Sequence, residues 1–362
     1  MIEASAVGME PVVHPPLPPM LARLARALPE DGYRYEPKWD GFRCLAFRAG
    51  DEVDLRSRND RPLARYFPEV VAGVRALPIP EVVLDGELVV ATDDGFDFAT
   101  LMARLHPAAS KVASLAVATP ATFVVFDLLA RDDRDLRSVP FADRRAALED
   151  LLTVPPSHVV ITPITDDVST AQRWLDQYRG GGIDGVVAKH VNAPYQPGKR
   201  TMIKVKREET ADCVVAGFRW YGASPVVGAL LLGMYDGSEL RHVGVAASFT
   251  REDRARLVHE LAPLVVSLAD HPWALGFALE GGRMGRLRGA AGRWTPQMEL
   301  DWVPLRPELV CEVAYDQLDG HRFRNPGRFR RWRPDRDATS CRIEQLDVGD
   351  GVNPLSLLGP GS

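Results

Sequence analysis

The run Glu36-Pro37-Lys38-Trp39-Asp40-Gly41-Phe42-Arg43 decides how this chain is read. Tyr33–Lys38 and Phe42–Phe47, on either side, are rich in aromatic and aliphatic residues, as strands are, and Asp40-Gly41 is a turn pair that joins them. A lysine at a strand end beside such a turn is held in place. Trp39 and Phe42 make its surroundings apolar, and burial lowers a lysine pKa. A neutral lysine amine is a nucleophile that can attack a carbonyl carbon or a phosphorus.

Further short apolar runs lie downstream at Val53–Ser57, Val82–Val90, Thr122–Leu128, Gly185–Lys189 and Met202–Lys206, bounded by Gly, Asp, Asn or Pro. Helical patterns are interleaved at Phe98–Leu105, Phe141–Leu152 and Ser169–Tyr178. Strands joined by short turns, with helices in ones, predict an α+β fold with antiparallel sheets. Upstream, Pro11, Pro15, Pro16, Pro18 and Pro19 predict an extended surface segment. After about Glu208 the texture changes. Ala211–Phe218, Gly228–Met234, Arg241–Ala247 and Leu309–Ala314 read as strands, with one amphipathic helix over Arg251–Val265. That pattern fits a small closed barrel such as an OB-fold. Gly281–Arg293 reads as a mobile loop, and 349–362 as a disordered tail.

Composition fits this division. A chain of 362 residues predicts about two domains. With 46% hydrophobic and 26% charged residues it is an ordinary globular protein. There is no apolar run long enough for a membrane span and no secretory signal pattern, and the four scattered cysteines suggest neither a zinc cage nor a disulfide framework. Net charge is −5, which excludes a uniformly basic coat. Between His321 and Arg336, however, seven arginines stand against one acid, Asp335, and predict a local phosphate-binding surface. Gly198-Lys199-Arg200-Thr201 is no phosphate loop, because Ala193 stands where its first glycine is needed.

The lysine run is followed by six further ordered motifs. Ser57-Arg58-Asn59, Leu84-Asp85-Gly86-Glu87-Leu88-Val89 and Phe123-Val124-Val125-Phe126-Asp127 follow it. Then come Gly182-Ile183-Asp184-Gly185-Val186-Val187-Ala188-Lys189 and Met202-Ile203-Lys204-Val205-Lys206, and last Arg328-Phe329-Arg330-Arg331-Trp332-Arg333-Pro334-Asp335-Arg336. In this order and spacing the sequence resembles the covalent nucleotidyltransferases, and within them the ATP-dependent DNA ligases. The small bacterial repair ligases, built of a nucleotidyltransferase domain and an OB domain, are the best likeness.

The resemblance implies an α+β fold: a nucleotidyltransferase domain of ATP-grasp-like antiparallel sheets with flanking helices over 1–208, then an OB-fold β-barrel domain over 209–348. It implies ATP as cofactor, with AMP carried on Lys38, and Mg²⁺ or Mn²⁺. At a reference pKa near 10.4 only about one lysine in a thousand is neutral at pH 7.4, so the Lys38 pKa is expected to fall by about three units. Repulsion by Lys204 and Lys206, helped by a metal ion, would supply the shift, and these lysines would also hold the α-phosphate. Glu87 and Asp184 are the implied metal or ribose ligands; family ligases usually carry Glu where this chain has Asp184. Phe126 would stack on adenine, Glu36 would set adenine specificity, Arg43 would reach the ribose and Arg58 the nick phosphate. Arg331 and Arg333 would engage the pyrophosphate leaving group as the second domain closes over ATP.

The implied partner is nicked duplex DNA, held through backbone phosphates, with a repair polymerase or end-binding proteins as further partners. A monomer in the bacterial cytoplasm, at the nucleoid and not at a membrane, is expected. With no separate DNA-binding domain ahead of Pro11, incomplete encirclement of DNA and modest affinity are expected. The rival readings are an RNA ligase or GTP-dependent mRNA guanylyltransferase, which share the lysine, and a non-catalytic OB-fold nucleic-acid-binding protein, which would leave Lys38 without a role.

Overall fold

The structure is a computed structural model that describes residues 12–92, 95–106, 108–178, 182–274, 302–346 and 353–358. Gly281–Arg293 lies outside the described residues. The chain forms two compact units, Met1–Arg207 with Asp350–Ser362, and Glu208–Gly349.

The first unit runs β1 (Leu21–Ala25), β2 (Tyr33–Trp39), β3 (Phe42–Ala49), β4 (Glu52–Ser57), α1 (Pro68–Arg75), β5 (Glu81–Thr92), β6 (Gly95–Phe96), α2 (Phe98–Ala103) and α3 (Ala109–Ala118). It continues with β7 (Ala121–Arg131), β8 (Arg134–Asp135), α4 (Phe141–Leu151), β9 (Val159–Ile161), α5 (Val168–Gln177), β10 (Ile183–His190) and β11 (Arg200–Val205). One sheet has the order β1-β11-β10-β2; the other has β4-β3-β5-β7-β8, with β6 on β5 and β9 on β7. The sheets are mixed, since β1–β11 and β7–β9 pair in parallel, where antiparallel pairing alone was expected.

Alternation of side chains explains how the two sheets face each other. Val82, Leu84, Leu88 and Val90 of β5 point into the core shared with α1 and α4, while Val83 points the other way, among Leu45, Phe47, Leu129 and Met202. That second cluster is the seam between the sheets. On the first sheet, Tyr35, Val186, Ala188, Ile203 and Val205 face outward onto Ala171, Trp174 and Leu175 of α5. The opposite parity of the same strands, Glu36 and Lys38 of β2, Val187 and Lys189 of β10, and Met202 and Lys204 of β11, faces the second sheet. Asp97 and Asp167 cap α2 and α5 by accepting backbone N–H bonds.

Residues 353–358 differ from the disordered tail expected. Leu355, Leu357 and Leu358 pack against the Trp39, Phe96 and Ile183 cluster of the first unit, because three leucines in one short turn bury apolar area that solvent would otherwise cover.

The second unit consists of β12 (Glu209–Tyr221), β13 (Ser224–Asp236), β14 (Glu239–Ala246), α6 (Arg251–Leu261), β15 (Val303–Pro304), β16 (Val310–Tyr315), β17 (Leu318–Asp319), β18 (Arg322–Phe323) and β19 (Arg328–Trp332). Its main sheet has the order β14-β13-β12-β16-β19. The Gly327 N–H donates to the Val245 carbonyl at 2.8 Å, so the segment entering β19 returns to β14 and closes the barrel. Five strands in this order, with α6 between the third and fourth, make an OB-fold. The helix ends at Leu261, followed by a 3₁₀ turn at Ala262–Leu264, which shortens the expected Arg251–Val265 span.

Candidate active site

Between the two sheets of the first unit lies a cleft of about 190 Å³. Glu36, Lys38 and Trp39 line it from β2, Arg43 from β3, Arg58 from the turn after β4, Glu87 from β5 and Phe126 from β7. Val187 and Lys189 of β10 and Arg200, Met202 and Lys204 of β11 complete it. The Asp40-Gly41 turn sits tightly against β5: a Cβ on Gly41 would fall 2.0 Å from the Leu88 carbonyl oxygen. This approach lets the Gly41 N–H donate to Glu87 Oε1 at 3.2 Å, which fixes the carboxylate beside the lysine strand.

Lys38 Nζ donates to Asp184 Oδ2 at 2.7 Å, and Lys206 Nζ reaches the same oxygen at 2.6 Å. Without a metal ion the lysine is not depressed. Burial alone would lower the Lys38 pKa, but Asp184, with Glu87 and Asp40 behind it, outweighs burial and raises it. Lys204 is the lysine that is lowered, by burial first and then by Lys206 and Lys38. Lys206 stands one residue beyond β11 and is bound to Asp184 instead of lining the cleft, whereas Lys204 lines it.

Glu87 has the opposite environment. Burial pushes its carboxyl up to about 7, although Arg43 and Lys38 pull it down. Among the described residues no group of three or more His, Cys, Asp or Glu side chains is arranged to hold a metal. Asp184 and Glu87 both act on Lys38, however, and Mg²⁺ is commonly held through one or two carboxylates, with phosphate oxygens and water completing its shell. A half-protonated buried carboxyl and a carboxylate already drawing two ammonium groups are a donor set that fits such an ion.

Arg43, expected to reach the ribose, does not extend freely. Its Nε and Nη2 pair with Asp85 at 2.5 and 2.6 Å, and Nη2 also donates to the Met20 carbonyl at 3.2 Å. The Tyr195 hydroxyl donates to the same Asp85 carboxylate at 2.6 Å. The fork is therefore occupied, and Arg43 lies with its guanidinium carbon 4.6 Å from the centre of the Phe126 ring. Lys189 Nζ lies 4.7 Å from that centre and donates to the Phe126 carbonyl at 2.9 Å. Glu36 is buried, with Oε2 2.8 Å from Lys189 Nζ and Oε1 3.5 Å from Arg145 Nη1. Oε1 has no hydrogen-bond partner, and burial raises the pKa of this carboxyl despite its two cations.

Arg331 and Arg333 stand in the second unit, on β19 and one residue after it. The basic run is not a bare cationic face. Arg328 and Arg330 share Glu208, Arg331 pairs with Glu312 at 2.6 Å, and Arg333 pairs with Asp212 and Asp335. Of these acids only Asp335 lies within the run; Glu208, Asp212 and Glu312 lie elsewhere along the chain, so a local count misses them.

Sequence reasoning also left out Lys189, Asp85, Tyr195 and Arg200. Lys189 and Asp85 lay inside quoted motifs, and strand parity would have placed Lys189 with Val187 on the cleft face. Arg200 lines the cleft without belonging to a phosphate loop.

Residues 19–206 match the family model described as ATP dependent DNA ligase domain, and 223–336 match ATP dependent DNA ligase C terminal region. DNA ligase C of Mycobacterium tuberculosis (strain ATCC 25618 / H37Rv) is 49% identical, covering 98% of this chain and 99% of that protein. DNA ligase C2 of Mycolicibacterium smegmatis (strain ATCC 700084 / mc(2)155) is 48% identical, covering 94% and 96%. A solved structure from work on Lig E DNA ligases shares the fold, with a TM-score of 0.54 at 18% identity over 87% of this chain and 99% of that chain. The chain belongs to the ATP-dependent DNA ligases.

Proposed function

We propose that this enzyme seals 5′-phosphate/3′-hydroxyl nicks in duplex DNA through an AMP carried on Lys38. The observation that carries this reading is the placement of Lys38 at a cleft that also holds Phe126, Glu36, Arg43 and Glu87.

In the first step the Lys38 amine, having lost its proton, attacks the α-phosphorus of ATP. A phosphorus–nitrogen bond forms, the bond to the β-phosphate oxygen breaks, and pyrophosphate leaves. In the second step a 5′-phosphate oxygen of the nick displaces Lys38 from that phosphorus. In the third the 3′-hydroxyl attacks the DNA phosphate, a phosphodiester forms and AMP leaves. Each step is an in-line displacement at phosphorus, so catalysis is mainly positioning and charge neutralisation. Lys204 faces the α-phosphate, Phe126 and Val187 offer apolar surface to the base, and Glu36 Oε1 accepts from a base amino group. Arg331 and Arg333 act on the leaving pyrophosphate, and Arg58 on the nick phosphate. A Mg²⁺ or Mn²⁺ ion held by Asp184 and Glu87 would neutralise phosphate charge and depress the Lys38 pKa by repulsion.

The test is incubation with labelled ATP or GTP and Mg²⁺, followed by denaturing electrophoresis and a nick-sealing assay. A covalent label from ATP, together with sealed duplex DNA, is the expected result. A label from GTP only would turn the reading to guanylyl transfer; no label and no sealing would leave an OB-fold binding protein.

A further inference from the structure

Asp212 belongs to none of the quoted motifs, yet it organises the last one. It lies on β12 and is 9% exposed. Its backbone is tied at both ends to Gln345: the Asp212 N–H donates to Gln345 Oε1 at 3.2 Å and its carbonyl accepts from Gln345 Nε2 at 3.3 Å. Its two carboxylate oxygens take Arg333 Nη1 at 2.9 and 3.0 Å, and Oδ2 lies 3.4 Å from Arg336 Nε. One buried carboxylate thus grips two arginines of the run.

The grip also fixes a direction. The other edge of Arg333, formed by Nε and Nη2, is turned to the exposed carboxylate of Asp335, at 2.9 and 2.8 Å. That edge is a two-nitrogen fork facing two negative oxygens, the geometry in which arginine binds a phosphate bidentately. The pair of carboxylate oxygens occupies the position that two phosphate oxygens would take. Arg331, by contrast, is 63% exposed with Glu312 as its partner, and an exposed pair holds a side chain only weakly.

We propose that Asp212 is a positioning residue for adenylyl transfer: it orients the Arg333 fork, and with it Arg336, toward the phosphates that leave ATP. This rests on the reading of Arg333 as a pyrophosphate-binding group. The competing account makes Asp212 only a counter-ion that keeps the barrel folded.

The experiment compares the full-length wild type with Asp212→Asn, Asp212→Glu, Arg333→Ala and the double variant Asp212→Asn/Arg333→Ala. Three quantities are read: the rate of labelling by ATP, the rate of sealing a nick that already carries 5′-AMP, and the thermal midpoint. Asp212→Asn should slow labelling by about 10- to 100-fold, the scale for losing a group that orients a reactive one. Asp212→Glu, which keeps the charge, should recover part of that loss. The double variant should label no more slowly than Arg333→Ala to within about twofold, since Asp212 acts through Arg333. Sealing of the pre-adenylylated nick should fall much less than labelling in every variant. If Asp212→Asn does not fold, Asp212→Glu with and without Arg333→Ala provides the same comparison. Equal losses in labelling and sealing, or losses that multiply in the double variant, would overturn the proposal, as would normal labelling by Asp212→Asn beside an impaired Arg333→Ala. Normal labelling by Arg333→Ala would remove the reading of that arginine and the proposal with it.

Discussion

Lys38 Nζ and Asp184 Oδ2 are 2.7 Å apart, and this ion pair favours the charged form of the proposed nucleophile. The amine can act only after the pair is disturbed, because an ammonium group has no lone pair to donate.

Lys38→Ala should abolish covalent labelling by ATP, as Lys204 on β11 and Lys206 just beyond it approach from another direction and are not placed for the same in-line attack. Lys38→Arg should fail equally, because a guanidinium stays protonated while keeping the contact to Asp184. Gel autoradiography of both variants decides the matter, and a surviving label in either one would remove Lys38 as the nucleophile.

Glu87 predicts a trade between stability and activity. Its carboxyl titrates at about 7, raised by burial from the ordinary glutamate range. A carboxyl raised on folding adds stability below its unfolded pKa and loses it as pH climbs through the folded value. At pH 8 the ionised side chain is therefore a burden on the free enzyme. Glu87→Gln should stabilise the fold at pH 8, by an amount on the order of 2 kcal/mol, and so raise the thermal midpoint, and the gap should close toward pH 5. The same change should reduce ATP labelling by about 10² or more, the usual scale for losing an electrostatic group at a reacting centre. Calorimetry at the two pH values, with labelling alongside, checks both halves. A wild type that is the more stable protein at pH 8 would contradict the first.

Glu36 Oε1 is a buried acceptor without a hydrogen-bond partner, an arrangement that costs free energy until a donor fills it. The amino group of adenine is such a donor, whereas guanine presents a carbonyl oxygen at the equivalent place. Glu36→Gln should therefore weaken the preference for ATP over GTP by roughly tenfold, about 1.4 kcal/mol. Competition labelling with the two nucleotides measures the ratio, and an unchanged ratio would assign base choice to another group.

Much of the strand framework was legible because Val, Leu and aromatic runs bounded by turn residues recur at β5, β7 and β10. β1 was missed. Its sequence, Leu-Ala-Arg-Leu-Ala, lacks β-branched residues, and its parallel partner β11 lies far along the chain, where no turn signal reports it. α1 was missed because its valines resemble a strand, although Pro68 at its start and Glu69 in its first turn are helix signals. At the site, the identities of Lys38, Glu87, Phe126 and Lys204 were readable as an ordered set. Their charge states were not, since those depend on Asp184, Arg43 and burial, and ion pairs across strands leave no mark in local sequence. The basic run at 322–336 illustrates the same limit: its counter-ions Glu208, Asp212 and Glu312 lie outside it.

That distribution of counter-ions separates the two arginines of the final motif. Arg331 is 63% exposed and holds one carboxylate, Glu312, at 2.6 Å. Surface pairs contribute between about 0 and 1 kcal/mol, so Arg331→Ala should leave the thermal midpoint nearly unchanged. Arg333 is 17% exposed, and its removal leaves Asp212, which is 9% exposed, without the Nη1 donor that both its oxygens share. Removing the nearer cation from a largely buried carboxylate is costly, and Arg336 offsets this only in part, so Arg333→Ala should lower the midpoint by several degrees. Both should slow ATP labelling by about 10² while sparing the sealing of a nick that already carries 5′-AMP, because the pyrophosphate they neutralise is present only in the first step. Calorimetry combined with the two single-step assays tests this pattern. If Arg331→Ala destabilised the protein as much as Arg333→Ala, the exposed pair would be a structural clasp; if both slowed the two steps equally, the run would be holding DNA throughout the reaction.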